Sequence, residues 1–315
     1  MTTRSGTFST PRAGHYWLAS RVVLVFTAIV ATPAQYQPPT IRTSVNLVLL
    51  DVAVFTRDGK PAAGLKRENF RIVDAGQERP IARFETGNAD LSVAFVVDFS
   101  RSMRPRKAAV IQALQRLQKQ LSAADEMAVI VFNEETLVLQ PPIPSANVAW
   151  LAALIGLAPD GKTAVYDALT EAARLLSRAT HSRRVCILLS DGVDTASSVS
   201  RNTAIDTLRA GNVTAYSVGL FPSGDVEADA RFLRRLAAES GGLALFEERP
   251  ASLDGVLDTI LADLRSRYVI GFLTDDPPEG RTEVRQVDLT VRDGHGSGLR
   301  MRTRKSYQIG GIHEN

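Results

Sequence analysis

Five oxygen-bearing side chains stand out for what they could hold between them. The run Asp98-Phe99-Ser100-Arg101-Ser102 follows a continuous apolar stretch, LSVAFVVD. Offsets of two let Asp98, Ser100 and Ser102 point to one side of an extended turn, so one tight loop offers a carboxylate and two hydroxyls. Hard oxygen donors of this kind suit Mg²⁺, Mn²⁺ or Ca²⁺ and suit copper or zinc poorly. Two more oxygens come from elsewhere. Thr163 sits in APDGKTAVYDAL, just before a helical pattern, and Asp191 ends the apolar run VCILLSD. Five donors from three loops make an incomplete octahedron around a small cation.

Such loops need a scaffold that brings them to one edge. Residues 104–121 place Val110, Leu114, Leu117 and Leu121 at helical spacing, and residues 164–178 do the same with Ala168, Leu169, Ala172 and Leu176. Between and after them, EMAVIVFN, RRVCILLS and VTAYSVGL read as strands buried on both faces, and ETLVLQ as a shorter one. NTAIDTLRAGN, DVEADARFLRRLAAESGG and ASLDGVLDTILADLRSRY continue the alternation as helices. This predicts an α/β fold: a doubly wound, mostly parallel, Rossmann-like sheet with helices on both faces. In the strand order 3-2-1-4-5-6, the strands ending in Asp98 and Asp191 are neighbours where the order reverses. Ligands bind at such a point, beyond the carboxyl ends of the strands.

Strand-like segments flank this unit. VNLVLLDVAVF and ENFRIVDAGQERPIARFE lie before it; YVIGFLT, EVRQVDLTVRD and LRMRTRKSYQI lie after it. Each flank has only about 45 residues, a size at which a lone core is marginal. The two flanks are therefore expected to pack together as one small β-sandwich, with the α/β unit inserted between them. The expected division is residues 1–34, a signal peptide; 43–88, a first β segment; 90–265, the α/β domain; and 266–310, a second β segment. The leader rests on Arg4, Arg12 and Arg21, the apolar core VVLVFTAIVA and the small residues ATPA. Ten apolar residues cover about half of a ~20-residue membrane span. That favours cleavage and a secreted or periplasmic chain without a stable transmembrane span, with an uncleaved signal-anchor as the alternative.

Composition narrows the function classes. The 315 residues are 44% hydrophobic and 23% charged, as in ordinary globular chains, with a net charge of +3. The three leader arginines equal that surplus, so nothing points to nucleic acid. Cys186, the single cysteine, allows no intramolecular disulfide and reads as a small core hydrophobe. Ser100 as a nucleophile would need a base, yet of the four histidines His15 is in the leader, His181 precedes its strand, and His295 and His313 are in the second flank. No GxSxG elbow or phosphate-binding loop occurs, so a non-enzyme is expected.

The DxSxS run, the threonine after a glycine-containing loop and the aspartate in a strand-end DG together resemble the metal-ion-dependent adhesion site of von Willebrand factor type A (integrin I-like) domains. The resemblance covers about residues 90–265 and matches at Asp98, Ser100, Ser102, Thr163 and Asp191. The flanks look like those of the bacterial extracytoplasmic "VWFA-related" family. The resemblance implies that the three hydroxyls bind a divalent cation, Mg²⁺ first with Mn²⁺ or Ca²⁺ as alternatives. The aspartates would bind it directly or through water, and an acidic group of a partner would take the remaining position. A dication with Asp98 and Asp191 is near neutral, so an incoming carboxylate meets little repulsion. Arg101 and Lys162 are candidate partner contacts, although the plainer reading of Lys162 is a solvated surface lysine, and Asp194 reads as a loop cap. The expected function is metal-dependent binding or adhesion to a protein or cell-surface partner presenting Asp or Glu. A structural scaffold protein with a purely structural metal is the alternative, and a metal-assisted hydrolase the more distant one.

Overall fold

A computed structural model of the chain describes residues 45–87, 89–190, 194–220, 227–247, 253–277, 281–292 and 298–310. The leader at 1–34 and Asp191 lie outside the described residues. The described chain begins with β1 (Val45–Phe55), a 3-10 turn (Arg67–Asn69), β2 (Phe70–Asp74), β3 (Gln77–Arg79) and β4 (Ile81–Thr86). The middle alternates through β5 (Ser92–Asp98), α1 (Lys107–Gln120), β6 (Glu126–Phe132), β7 (Thr136–Pro144), α2 (Ala149–Gly156), α3 (Val165–Ser177) and β8 (Arg184–Ser190). It continues through α4 (Arg201–Ala210), β9 (Val213–Gly219), α5 (Glu227–Ser240), β10 (Ala244–Phe246) and α6 (Leu253–Ser266). The last strands are β11 (Tyr268–Asp275), β12 (Glu283–Val291), β13 (Arg300–Arg302) and β14 (Ser306–Ile309).

The central six-stranded sheet runs β10-β9-β8-β5-β6-β7, parallel except for β7. Its order is the doubly wound one, with β5 and β8 adjacent. Every residue of β5 is buried, and alternation of side chains along it feeds two cores. Val93, Phe95 and Val97 face α1, α2 and α6, whereas Ala94 and Val96 face α3, α4 and α5. Within α1, Val110, Ala113, Leu114 and Leu117 form the buried stripe, each leucine adding roughly 1.5–3 kcal/mol of burial.

Three local readings need correction. The ETLVLQ strand is longer than expected and antiparallel, and Pro141, Pro142 and Pro144 fit its place at the sheet edge. The helix expected from residue 104 begins at Lys107; Arg101–Arg106, with Pro105 inside, is a 3-10 helix. LRMRTRKSYQI is not one strand: β13 and β14 join different sheets.

The flanking strands make two antiparallel four-stranded sheets, β13-β1-β11-β4 and β14-β12-β2-β3. Leu50, Val52, Ile270 and Phe272 from the first share a buried core with Phe70, Ile72, Val287 and Tyr307 from the second. Both sheets draw strands from before and after the α/β domain. The chain enters that domain after β4 and leaves it at Arg267, and β4 pairs with β11, Thr86 opposite Tyr268. Entry and exit pass so closely that a Cβ on Gly87 would lie 1.9 Å from the Arg265 carbonyl oxygen.

A buried ionic network joins sandwich and α/β domain at the amino edge of the parallel sheet. Arg267, fully buried, donates to Asp263 from Nε at 3.0 Å, to Asp51 at 3.4 Å and to the Gly241 carbonyl at 2.7 Å. The Tyr216 hydroxyl donates to Asp263 at 2.5 Å, and Arg302 pairs with the other Asp263 oxygen. Arg183 reaches Asp51 at 3.2 Å and the carbonyls of Gly87, Ala89 and Leu264. Burial works against ionised Asp263, but Arg267 and Arg302 outweigh it and hold its carboxyl below the usual value of 3.8.

Candidate functional site

At the carboxyl edge of the same sheet, β5 ends in Asp98, which is fully buried. One carboxylate oxygen accepts the Ser100 N–H at 2.8 Å, and the other accepts the Ser190 hydroxyl, from the end of β8, at 2.7 Å. Pairing of β5 with β8, Val97 opposite Leu189, makes this contact possible. The Ser100 backbone bond folds the next residues back over the carboxylate. The Ser100 and Ser102 hydroxyls then stand 3.0 Å apart, Ser100 buried and Ser102 exposed.

The loop before α3 is fastened to this turn. Asp160 N–H donates to the Phe99 carbonyl at 2.9 Å, and Arg101 N–H to the Gly161 carbonyl at 3.3 Å. Arg101 and Arg104 both reach Asp160 Oδ1, at 3.0 and 2.9 Å. The Gly161 N–H, then the Arg101 guanidinium, hold the Asp160 carboxyl below its usual value. Gly161 has a φ of +82°, a backbone conformation that favours glycine, and a Cβ there would displace the Glu134 carboxylate, 2.0 Å away. Glu134 in turn accepts the Lys162 N–H at 2.5 Å.

Thr163 is 6% exposed and is stitched to the loop after β8. Its N–H donates to the Thr195 hydroxyl at 3.0 Å, and its carbonyl accepts the Thr195 and Ala196 N–H groups. The first N–H groups of a helix have no partner within it. In α3 they are taken by this loop: Asp194 accepts from Val165 at 2.9 Å, and Ser197 from Tyr166 and Asp167 at 3.0 and 3.2 Å. Asp167 answers by accepting the Ser198 and Val199 N–H groups.

Thus Asp98, Ser100, Ser102 and Thr163 lie in loops that are hydrogen-bonded to one another directly or through one intermediate, and Ser190 leads into Asp191. Asp194 is engaged at the helix start. Arg101 is exposed but tied to Asp160, and Lys162 faces an open cleft with Glu134, Asp194, Thr195 and Ser197. Ser190, Asp160, Glu134, Thr195 and Ser197 were not read from the sequence. Only Ser190 carried a signal, its place beside Asp191 at a strand end.

The donor chemistry suits a hard dication. A carboxylate oriented by two hydrogen bonds shares its turn with a pair of hydroxyls 3.0 Å apart. Among the described residues no three His, Cys, Asp or Glu side chains cluster as a metal site. His181 lies at the opposite edge, its Nε2 2.8 Å from the Ala124 carbonyl oxygen. Cys186 is fully buried, and burial pushes its thiol up to about 12.

Residues 93–193 match the von Willebrand factor type A domain model. Such domains are protein-interaction and adhesion modules. A von Willebrand factor type A protein from Catenulispora acidiphila is 16% identical, with 86% of this chain and 74% of that one covered and a TM-score of 0.50. A paralogue of ArnB from Sulfolobus acidocaldarius is 16% identical over 85% of this chain and 75% of that one, with a TM-score of 0.47. Proximal thread matrix protein 1 from the mussel byssus, with a zinc-occupied adhesion-site motif, is 17% identical over 61% and 50%, with a TM-score of 0.47. At these identities the likeness concerns the fold alone. A comparison with curated proteins found no match.

Proposed function

We propose that the protein is an extracytoplasmic binding module whose α/β domain holds one divalent cation and docks an acidic residue of a protein or cell-surface partner. Asp98, Ser100, Ser102, Thr163 and Asp191 would hold the cation, Mg²⁺ in the first instance. When bound, the cation supplies an electrophilic point that a carboxylate can occupy. The protein's own part is orientation: Ser190 and the Ser100 N–H fix Asp98, and the 3.0 Å approach of the Ser100 and Ser102 hydroxyls in the same turn carries the reading. Arg101 and Lys162, both exposed at the rim, would meet the partner's acidic surface and raise its encounter rate.

The extracytoplasmic placement rests on the leader pattern at residues 1–34, and no helix among the described residues is long and apolar enough to cross a membrane. The four-part division of the chain given above is part of the same proposal. A scaffold role with a purely structural cation is favoured by one observation: both Asp98 oxygens already have protein partners.

Calorimetric titration of Mg²⁺ and Mn²⁺ into the purified chain, together with retention of cell-envelope proteins on the immobilised chain with Mg²⁺ or with EDTA, tests this. Saturable cation uptake and partner retention, both lost in Asp98→Ala, are expected. Cation uptake with partner retention indifferent to EDTA would establish the scaffold reading. No uptake at all would overturn both.

A further inference from the structure

The interface between the sandwich and the α/β domain contains a cavity of about 20 Å³ lined in part by Asp51, Arg183, Arg184, Asn212 and Arg304. Three arginines therefore line it with one aspartate, and that aspartate pairs with Arg183 and with Arg267 outside the cavity, not with Arg184 or Arg304. Its Oδ1 lies 3.2 Å from Arg183 Nε, and its Oδ2 lies 3.4 Å from Arg267.

Arg304 is 7% exposed and donates to the Asn212 side-chain oxygen and the Leu49 carbonyl, both neutral, while its Nε is buried without an acceptor. Arg184 donates to the carbonyls of Gly211 and Ser177 at 3.1 and 3.2 Å, and its Nε is likewise buried without an acceptor. On the far side of Arg304, Glu239 is held by Arg209 and Arg235 at 2.8 and 2.6 Å.

A guanidinium does not shed its proton in a protein, so this charge cannot be removed by titration. Burying it without a counter-charge is costly. Burial pushes Arg304 down to about 10, with Asp51 and Tyr307 pulling the other way, so the carboxylate nearby does not offset the desolvation.

We propose that this cavity binds a small monovalent anion, a halide such as chloride, between Arg304 and Arg184. The small cavity favours a compact monovalent ion over sulfate, phosphate or an organic carboxylate. The anion would bind the folded chain and not the unfolded one, tightening the seam between sandwich and α/β domain.

Thermal unfolding in sodium bromide, sodium chloride and sodium gluconate at one ionic strength tests the site. Bromide is the less stabilising ion by general salt effects and gluconate is too large to enter, so a midpoint higher by about 2 °C or more in the halides is diagnostic of binding. The halide gain should vanish in Arg304→Met and shrink in Arg184→Gln, the latter at a half-buried residue that folding tolerates better. Bromide-soaked crystals of the unaltered chain should show anomalous density in the cavity. Equal midpoints in the three salts, a halide gain that survives in Arg184→Gln at full size, or a water alone in the cavity would each overturn the proposal.

Discussion

The two edges of the parallel sheet handle buried polar groups in opposite ways. At the amino edge, Arg267 spends its donors on Asp263, Asp51 and Gly241, and Tyr216 and Arg302 complete Asp263. At the carboxyl edge, Asp98 is fixed from below, while the Ser102 hydroxyl and the Lys162 and Glu134 side chains stand at the surface. The first arrangement is closed by the protein itself and fixes the position of the sandwich. The second leaves oxygens arranged at the surface, where an outside group can complete them. Rigidity at one edge is what keeps three loops in register at the other, because β5 and β8 run from one to the other.

The largest effect expected is from Arg267→Met, which takes a fully buried guanidinium from Asp263 and Asp51 and leaves them Arg302 and Arg183. It should lower unfolding free energy in a urea titration by about 3–5 kcal/mol, and a loss below 1 kcal/mol would break the contrast between the edges. Acid should act on the same edge. The folded-state pKa of Asp263 is lowered, so its contribution is present above its unfolded value near 3.8 and is lost as pH falls through the folded value. Stability measured below about pH 4 should therefore drop less steeply in Asp263→Asn than in the unaltered chain. At the carboxyl edge, Asp194→Ala removes the acceptor for the first N–H of α3 and should cost about 1 kcal/mol. The smallest effect is at the rim: Arg101→Ala breaks an exposed pair with Asp160 and should leave the unfolding midpoint in urea almost unchanged. A larger change there would mean that the loop before α3 depends on the ion pair more than on its backbone bonds to Phe99 and Arg101.

Much of the α/β fold was legible in the sequence because burial on both faces leaves an unmistakable run. SVAFVVD of β5 and RVCILLS of β8 have no charged or hydroxyl side chain between their first and last residues, and α3 keeps a clean apolar side. Elements that depend on position in the assembly were not legible. The strand β7 is half-exposed and proline-bearing because it sits at the edge, so its pattern is weak. The break between β13 and β14 follows from the chain crossing between sheets, where Arg304 is buried in the seam. In the candidate site, Asp98, Ser100 and Ser102 share one turn and so share a readable spacing. Asp160, Glu134 and Ser197 act through loops that converge only in three dimensions, and no local spacing encodes that convergence. The arginine network is the extreme case. Asp51, Arg183, Arg302 and the neighbouring Asp263 and Arg267 come from four separate places, and each alone reads as a solvated charge.

The strand pairing of the sandwich sets an order of events during synthesis. Asn46 and Asp276 bond to each other across a sequence separation of 230 residues. Until the ribosome has made the α/β domain and β11, the apolar strand β1 has no partner. Closing such a long loop is slow and leaves a β-prone segment open to misassociation. The α/β domain, whose contacts are more local, is expected to fold first and to bring β4 and the start of β11 side by side. The sandwich would then close upon a template already in place, as the last step in maturation.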